Sequence, residues 1–344
     1  MSDAPLLLPD EVLHEARAHA PLPVCDHYCG VEKRIHKALA MQREMLDEYG
    51  EALFDVTLDC EDGAPAGAEA AHAAMVAELA QEALQAEPRA RIAVRIHPAD
   101  HPAHAGDIAT IVPRVGAALC HVMLPKVETL DEIERTLAAL DAACPERALP
   151  LHILLESPLG IAHALPLAAH PRVQSISFGL MDFVSAHQGA IPASAMSLEG
   201  QFSHPQVVRA KLALAAACHA HGKTPSHCVV TEFRNPDAIH AAAARAAREF
   251  AYTRMWSIHP DQIRPIIAAF RPQALEIVTA AEILLAAQQA HWAPIRHQDT
   301  LHDRASYRYY WHVLQRARST GAPIPAPAQT LFAPAPADGN TAPR

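Results

Sequence analysis

The chain has 344 residues, half of them hydrophobic, and a formal net charge of −10 at pH 7. That length can bury one large core, and an acidic balance with short, mixed basic clusters argues against a nucleic-acid surface. No apolar run reaches the roughly 18–20 residues of a membrane span, and the opening MSDAPLLLPDEV lacks the basic start and long apolar stretch of a secretory signal.

Residues 1–21 read as a mobile leader. PVCDHYC (23–29) reads as a first strand, and VEKRIHKALAMQREMLDEYG (31–50) carries helical periodicity up to a glycine stop. FDVTLDCEDG (54–63) is a second strand ending in acids. An alanine-rich helix over 67–86, a strand over 91–97 and a short helix near 105–116 follow. A strand over 120–126 leads to a helix over 129–143, whose TLDEIERTL start sets acids in the first turn, where the helix dipole favours them. Strand 150–156, helix 159–168 and strand 173–178 come next. The segment 183–203 lacks periodicity, and a loop that long after a strand end is usually functional or mobile. Helix 205–221, strand 226–231, helix 236–249 and strand 252–258 complete eight βα steps, with helices near 260–270 and 272–291 closing the ring. The expectation is a (β/α)8 barrel over 22–291. Residues 292–320 read as a C-terminal helical cap with an exposed aromatic run, and 321–344 as a disordered Pro/Ala-rich tail.

Polar residues recur at the ends of these strands: Asp59, Glu61 and Asp62; Arg95 and His97; Lys126 and Glu128; Glu156; Asp182; His259. One such step means little, whereas several in succession argue for a shared polar mouth at the carboxyl edge of a packed barrel. Glu156 and Asp182 are the most informative pair, because one βα unit separates them and consecutive parallel strands lie about 4.8 Å apart. Two neighbouring carboxylates with room for water and substrate oxygens suit Mg²⁺. The bland alternative is a pair of solvated strand-end acids. Lys126 reads as an ion-paired lysine rather than a Schiff-base amine, since the acids around it keep it protonated.

The 23 histidines are scattered, mostly among alanines, with no HExxH or tight His/Cys cluster, so most are expected on the surface or on helix faces. The seven cysteines form no CxxC pair and fit reduced thiols in a cytoplasmic protein.

LDCEDG, VRIHP, LPKVET, ILLESPLGI, SFGLMDF and SIHPDQI occur in that order. Together they resemble the HpcH/HpaI aldolase and citrate lyase beta-subunit superfamily, near its malyl-CoA and citramalyl-CoA lyases, over residues 54–318. The resemblance implies a TIM barrel that makes or breaks a C–C bond using Mg²⁺ and an enolate. By the same resemblance Glu156 and Asp182 match the metal ligands. Arg95 matches an arginine that grips the substrate carboxylate or the developing enolate. Glu61 and Asp62 match an acidic pair that supports metal-bound water and that arginine. His259 matches a supporting rather than a catalytic histidine. The segment LHDRASYRYYWHVLQRA resembles an element that carries a catalytic aspartate, here Asp303, to a neighbouring subunit, which implies a homo-oligomer, trimer or hexamer. Asp303 is the first candidate for general base and Asp62 the second. The plain alternatives are an N-cap for Asp303, at the start of DRAS, and a salt bridge to Glu61 or Asp62 for Arg95. CDHYCG (25–30) stands where the family has a Pro-Gly turn that helps seat CoA, with only EKRIHKAL (32–39) retaining a likeness, and 183–203 is insertion-like. An acyl-CoA thioester, a free hydroxyacid and a complex subunit without its own turnover therefore all stay open.

Overall fold

A computed structural model describes residues 7–13 and 21–332. Eight parallel strands close in chain order: β1 Cys25–Cys29, β2 Phe54–Asp59, β3 Ile92–Arg95, β4 Val122–Leu124, β5 Leu151–Leu155, β6 Val173–Phe178, β7 Thr224–His227 and β8 Arg254–Ser257. Because β1 pairs with both β2 and β8, the expected (β/α)8 barrel is complete.

Local sequence explains the elements. On β2, Phe54, Val56 and Leu58 are buried in the main apolar core, while the alternate Asp55, Thr57 and Asp59 make polar contacts with other strands. The helix Leu130–Ala143 opens on a capping box, with Thr129 Oγ1 accepting from Glu132 N at 3.4 Å and Glu132 Oε2 accepting from Thr129 N at 2.8 Å. It buries Ile133, Thr136, Leu137 and Leu140, one helical stripe. Each large apolar side chain so buried stabilises the fold by about 1.5–3 kcal/mol before chain entropy is set against it.

Some expectations shift. β7 starts two positions before its expected 226, because Cys228, Val229 and Val230 are a buried apolar run that leaves the ladder. The helix expected over 159–168 is two pieces, Pro158–Ala162 and Ala164–Ala169, since Pro166 has no N–H to continue the ladder. The aperiodic 183–203 segment is tied down at its end. Lys211, fully buried on the helix Pro205–Ala220, donates to Gln201 O at 2.9 Å and Gln201 Oε1 at 3.0 Å, and lies 4.3 Å from the Phe202 ring centre.

The barrel interior beneath the mouth holds buried charges. Arg254 Nη2 meets Asp26 Oδ2 at 2.8 Å and Asp55 Oδ2 at 2.5 Å, and Arg91 Nε meets Asp55 Oδ1 at 2.5 Å. His121 and His152 stack at 3.5 Å beside them. The expectation of surface histidines fails for His27, His121, His152 and His227, which are fully buried strand or strand-flanking residues. All seven cysteines are free thiols.

Among the described residues, 7–13 and 271–332 form a compact unit separate from the barrel, so the barrel unit ends at Phe270 rather than at 291. The helix Ala274–Gln289 belongs to this second unit, as do an antiparallel hairpin (β9 Ile295–His297, β10 Thr300–His302) and the helix Arg304–Ser319. Its own core includes Leu13, Ile277, Leu284, Trp311, Leu314 and Leu331. The leader is anchored there in part, with Trp292 Nε1 donating to Leu7 O at 3.1 Å and Trp311 Nε1 to Asp10 Oδ1 at 2.7 Å. Within the expected tail, Ala328 and Leu331 are buried and Ala326–Gln329 is helical; residues 333–344 lie outside the described residues. The aromatic run is mostly internal as well, because Tyr307 and Trp311 are buried and only Tyr309 is well exposed.

The buried histidines set an acid limit on the barrel. Burial holds His27 down at about 3, and burial also holds His152 and His227 well below the usual imidazole range. Above about pH 6.5 these rings are neutral in both folded and unfolded chains, so they contribute no pH slope. Below it the unfolded chain takes protons that the folded chain refuses, and stability falls as pH drops. Each excess proton contributes about 1.4 kcal/mol per pH unit. Urea midpoints should therefore fall steeply between roughly pH 6 and 4.5, before the carboxylates titrate, and His27→Asn should make that slope shallower. A midpoint flat across this window would remove the account.

Candidate active site

The carboxyl ends of β2 to β6 converge on one mouth. Arg95, the last residue of β3, is 5% exposed and lies against two acids delivered by β2 and its following turn. Its Nε donates to Asp59 Oδ1 at 2.7 Å and its Nη2 to Asp59 Oδ2 at 2.5 Å, a bidentate pair, while Nη1 meets Glu61 Oε2 at 3.0 Å. Asp59 is fixed in turn by Glu61 N at 3.0 Å and Gly63 N at 2.9 Å. Burial opposes both charges, but the pairing outweighs it, holding the Asp59 carboxyl below its usual range and raising Arg95 further. The Arg95 guanidinium also lies 5.3 Å from the ring centre of Tyr28, which packs edge-on to Trp256 and with Met123 and Leu154 inside the barrel.

Lys126 extends the chain of charges. Its Nζ meets Glu61 Oε1 at 2.5 Å and Asp62 Oδ2 at 3.2 Å. Burial works against this ammonium, but the Glu61 hydrogen bond and the charges of Glu61 and Asp62 push its pKa up, so it is an ion-paired cation and no amine nucleophile. Its backbone takes a left-handed φ of 55° and sends its N–H to Glu156 Oε1 at 3.0 Å.

Glu156 follows β5 and is 5% exposed. Burial raises its pKa well above the carboxylate range, and the largest charge acting on it is Asp182, which further raises it. Asp182 sits on the short helix Leu180–Ser185 just after β6. Gly179 makes the arrangement possible, since a Cβ there would lie 2.3 Å from Glu156 Oε2. Among the described residues no cation forms an ion pair with Glu156 or Asp182: Arg95 pairs with Asp59 and Glu61, and Lys126 with Glu61 and Asp62. A pair of hard oxygen donors carrying uncompensated charge fits a divalent ion such as Mg²⁺.

The structure thus brings together Arg95, Glu61, Asp62, Glu156 and Asp182, through Asp59 and Lys126. The alternative partners offered for Arg95 need one correction: they are Asp59 and Glu61, while Asp62 pairs with Lys126 instead. His97 turns to Asp107 Oδ2 at 2.7 Å, and Glu128 is taken by the Ser157 hydroxyl. His259 Nδ1 accepts from Asp261 N at 3.3 Å, capping the turn Pro260–Gln262. Asp303 lies in the other unit and caps its helix, Oδ1 accepting from Ala305 N at 2.9 Å and Ser306 N at 3.3 Å. Two residues escape sequence reasoning. Asp59 reads as one more strand-end acid, and Gly179 carries only the weak signal of a glycine beside a neighbouring strand's glutamate.

Asp26, His121 and His152 also place ligand-type atoms within 4.8 Å of one another inside the barrel. Arg254 already neutralises that carboxylate, and a second cation beside a buried guanidinium would be unfavourable.

The model of the family described as HpcH/HpaI aldolase/citrate lyase matches residues 38–260. A citrate lyase structure from Burkholderia xenovorans LB400 is 49% identical and covers 95% of this chain and 100% of that one, with a TM-score of 0.80. The L-malyl-CoA/beta-methylmalyl-CoA lyase of Rhodobacter capsulatus is 27% identical over 212 residues, which span 58% of this chain and 66% of that protein's length. The fold is shared by CitE from Mycobacterium tuberculosis, solved with magnesium, acetoacetate and coenzyme A, at 21% identity, TM-score 0.59, and coverage of 86% of this chain and 98% of that one.

Proposed function

This chain belongs to the HpcH/HpaI aldolase/citrate lyase family, and we propose on that premise that it is a Mg²⁺-dependent carbon–carbon lyase. Its substrate in this reading is a hydroxyacid carried as an acyl-CoA thioester, malyl-CoA-like or citramalyl-CoA-like, cleaved through an enolate. The observation that carries the proposal is the Arg95 guanidinium, locked by Asp59 and Glu61, in the same mouth as the Glu156–Asp182 pair.

Arg95 has five N–H donors, two of them hydrogen-bonded to Asp59, and its Nη1 is ion-paired with Glu61 without a hydrogen bond, so N–H groups remain for a substrate carboxylate or a developing enolate oxygen. Glu156 and Asp182 would hold the ion. When bound, Mg²⁺ supplies Lewis-acid stabilisation of the charge that bond cleavage leaves on oxygen. Cleavage also requires a base to take the hydroxyl proton while the C–C electron pair moves onto the enolate. Asp303 of a neighbouring subunit is the first candidate, since its cap uses only Oδ1 and leaves Oδ2 open. Asp62 is the second, although the Lys126 ammonium occupies it. The CoA half of the reading is supported by a groove of about 520 Å³ beyond β7 and β8, lined by Phe233, Arg234, Pro236, Ile239, His259 and Asp261. The Phe233 ring and Arg234 suit a base and a phosphate, while Lys37 is paired with Asp261 at 2.9 Å.

The test is release of glyoxylate or pyruvate in the presence of Mg²⁺ from malyl-CoA, citramalyl-CoA and the free acids. Release from the thioesters alone supports the proposal. Release from free acids alone makes the protein a hydroxyacid aldolase without CoA, and no release from any of them makes it a complex subunit without its own turnover. A cytoplasmic location belongs to the same reading and fits the free thiols; no helix among the described residues is long and apolar enough to cross a membrane.

Assembly as a homo-oligomer, trimer or hexamer, is part of the proposal. Asp303→Ala and Glu156→Ala proteins should each be inactive, and mixing them under subunit exchange should restore part of the turnover. If Asp303→Ala alone keeps full activity, Asp303 is a helix cap and Asp62 becomes the base to test.

A further inference from the structure

We infer that Lys126 is a positioning residue that couples the two halves of the mouth through separate parts of itself. Its backbone N–H aims Glu156, and its ammonium sets the acid that holds Arg95. The inference deepens the reading above and rests on it for the roles of Glu156 and Arg95.

The backbone half follows from conformation. Lys126 holds a φ of 55°, a left-handed value uncommon for a non-glycine residue. From that conformation its N–H reaches Glu156 Oε1 at 3.0 Å, while Oε2 of the same carboxylate rests against the Cα of Gly179, where no Cβ fits. One oxygen is thus held by a donor and the other lies against a wall, which restrains the orientation of this buried carboxylate beside Asp182.

The ammonium half follows from shared occupancy of Glu61. That carboxylate gives Oε1 to Lys126 at 2.5 Å and Oε2 to Arg95 at 3.0 Å. With Lys126 pulling on one oxygen, Glu61 can offer Arg95 only the other. Without the ammonium, Glu61 is free to turn both oxygens onto Arg95 and occupy N–H groups that substrate would use.

Lys126→Gly and Lys126→Val separate the halves. Both remove the ammonium, but glycine accepts positive φ freely whereas a β-branched residue resists it. The readouts are Mg²⁺ affinity by calorimetry, and affinity for oxalate, a carboxylate probe, at saturating Mg²⁺. Both variants should bind oxalate about 10-fold more weakly, as for loss of one supporting partner. Lys126→Gly should keep Mg²⁺ affinity within about 3-fold, whereas Lys126→Val should lose roughly 10-fold or more. Lys126→Arg should restore oxalate binding, which a merely structural lysine would not require. Equal Mg²⁺ affinities in the glycine and valine variants would overturn the backbone role, and wild-type oxalate binding in both would overturn the ammonium role. These binding measurements stand whether or not the protein shows lyase turnover, so their failure is distinct from failure of the functional proposal.

Discussion

Glu156→Ala protein should show no Mg²⁺ binding by calorimetry, a loss of roughly 100-fold or more, beyond the 10–100-fold typical of removing an outer partner of a metal site. The reason lies in what the carboxylate costs the fold. Glu156 is buried, burial raises its pKa well above the usual range, and Asp182 raises it further. Such a group keeps its proton to higher pH than a free carboxylate does, and a cation bound beside it favours the ionised form. Wild-type affinity for Mg²⁺ should therefore climb as pH rises, because the metal needs the ionised form. The alanine variant should lose that pH dependence along with the binding. Its thermal stability should hold or rise, since the mutation removes one member of a like-charged pair and leaves no unpaired buried charge behind. Unchanged Mg²⁺ affinity in a folded Glu156→Ala protein would take the metal away from this pair.

Why the pair is visible in the sequence, and its supports are not, has a physical basis. LPLHILLE and VQSISFGLMD each run apolar into a single carboxylate, and in a parallel barrel that pattern places the acid at the carboxyl edge whatever the rest of the chain does. Asp59 lies at the end of a strand whose alternation turns every second residue the same way, so its role as the Arg95 clamp depends on β3 lying beside it. The ionic interior is less legible still. Arg254 and Asp55 are 199 positions apart, and only closure of the barrel makes them neighbours. The end of the barrel is misplaced for a related reason, because the periodicity of 274–289 announces a helix without saying which core it covers. In the tail, two apolar positions among prolines and alanines, Ala328 and Leu331, prove enough to pack 326–332 into the second unit's core. Composition averages over such positions, and burial does not.

Arg95→Lys should lower kcat/KM by about 100- to 1,000-fold, the scale on which removal of one preorganised donor to a developing oxyanion acts. Lysine keeps the positive charge, but its three donors radiate from one nitrogen and cannot span Asp59 bidentately, hold Glu61 and still face substrate. Turnover should fall far more than stability, because the positive charge remains. Asp59 and Glu61 would nevertheless lose part of their pairing while remaining out of water, and the variant should melt several degrees lower as well. The two losses can be separated with Asp59→Asn. That variant damages the same buried ring but leaves the guanidinium in place with its remaining N–H groups, so it should melt at least as low as Arg95→Lys while keeping far more turnover. Should Asp59→Asn and Arg95→Lys lose activity in step with stability, Arg95 is a structural ion pair and the substrate clamp must be sought elsewhere in the mouth. If turnover collapses only in Arg95→Lys, the guanidinium itself meets the reacting molecule.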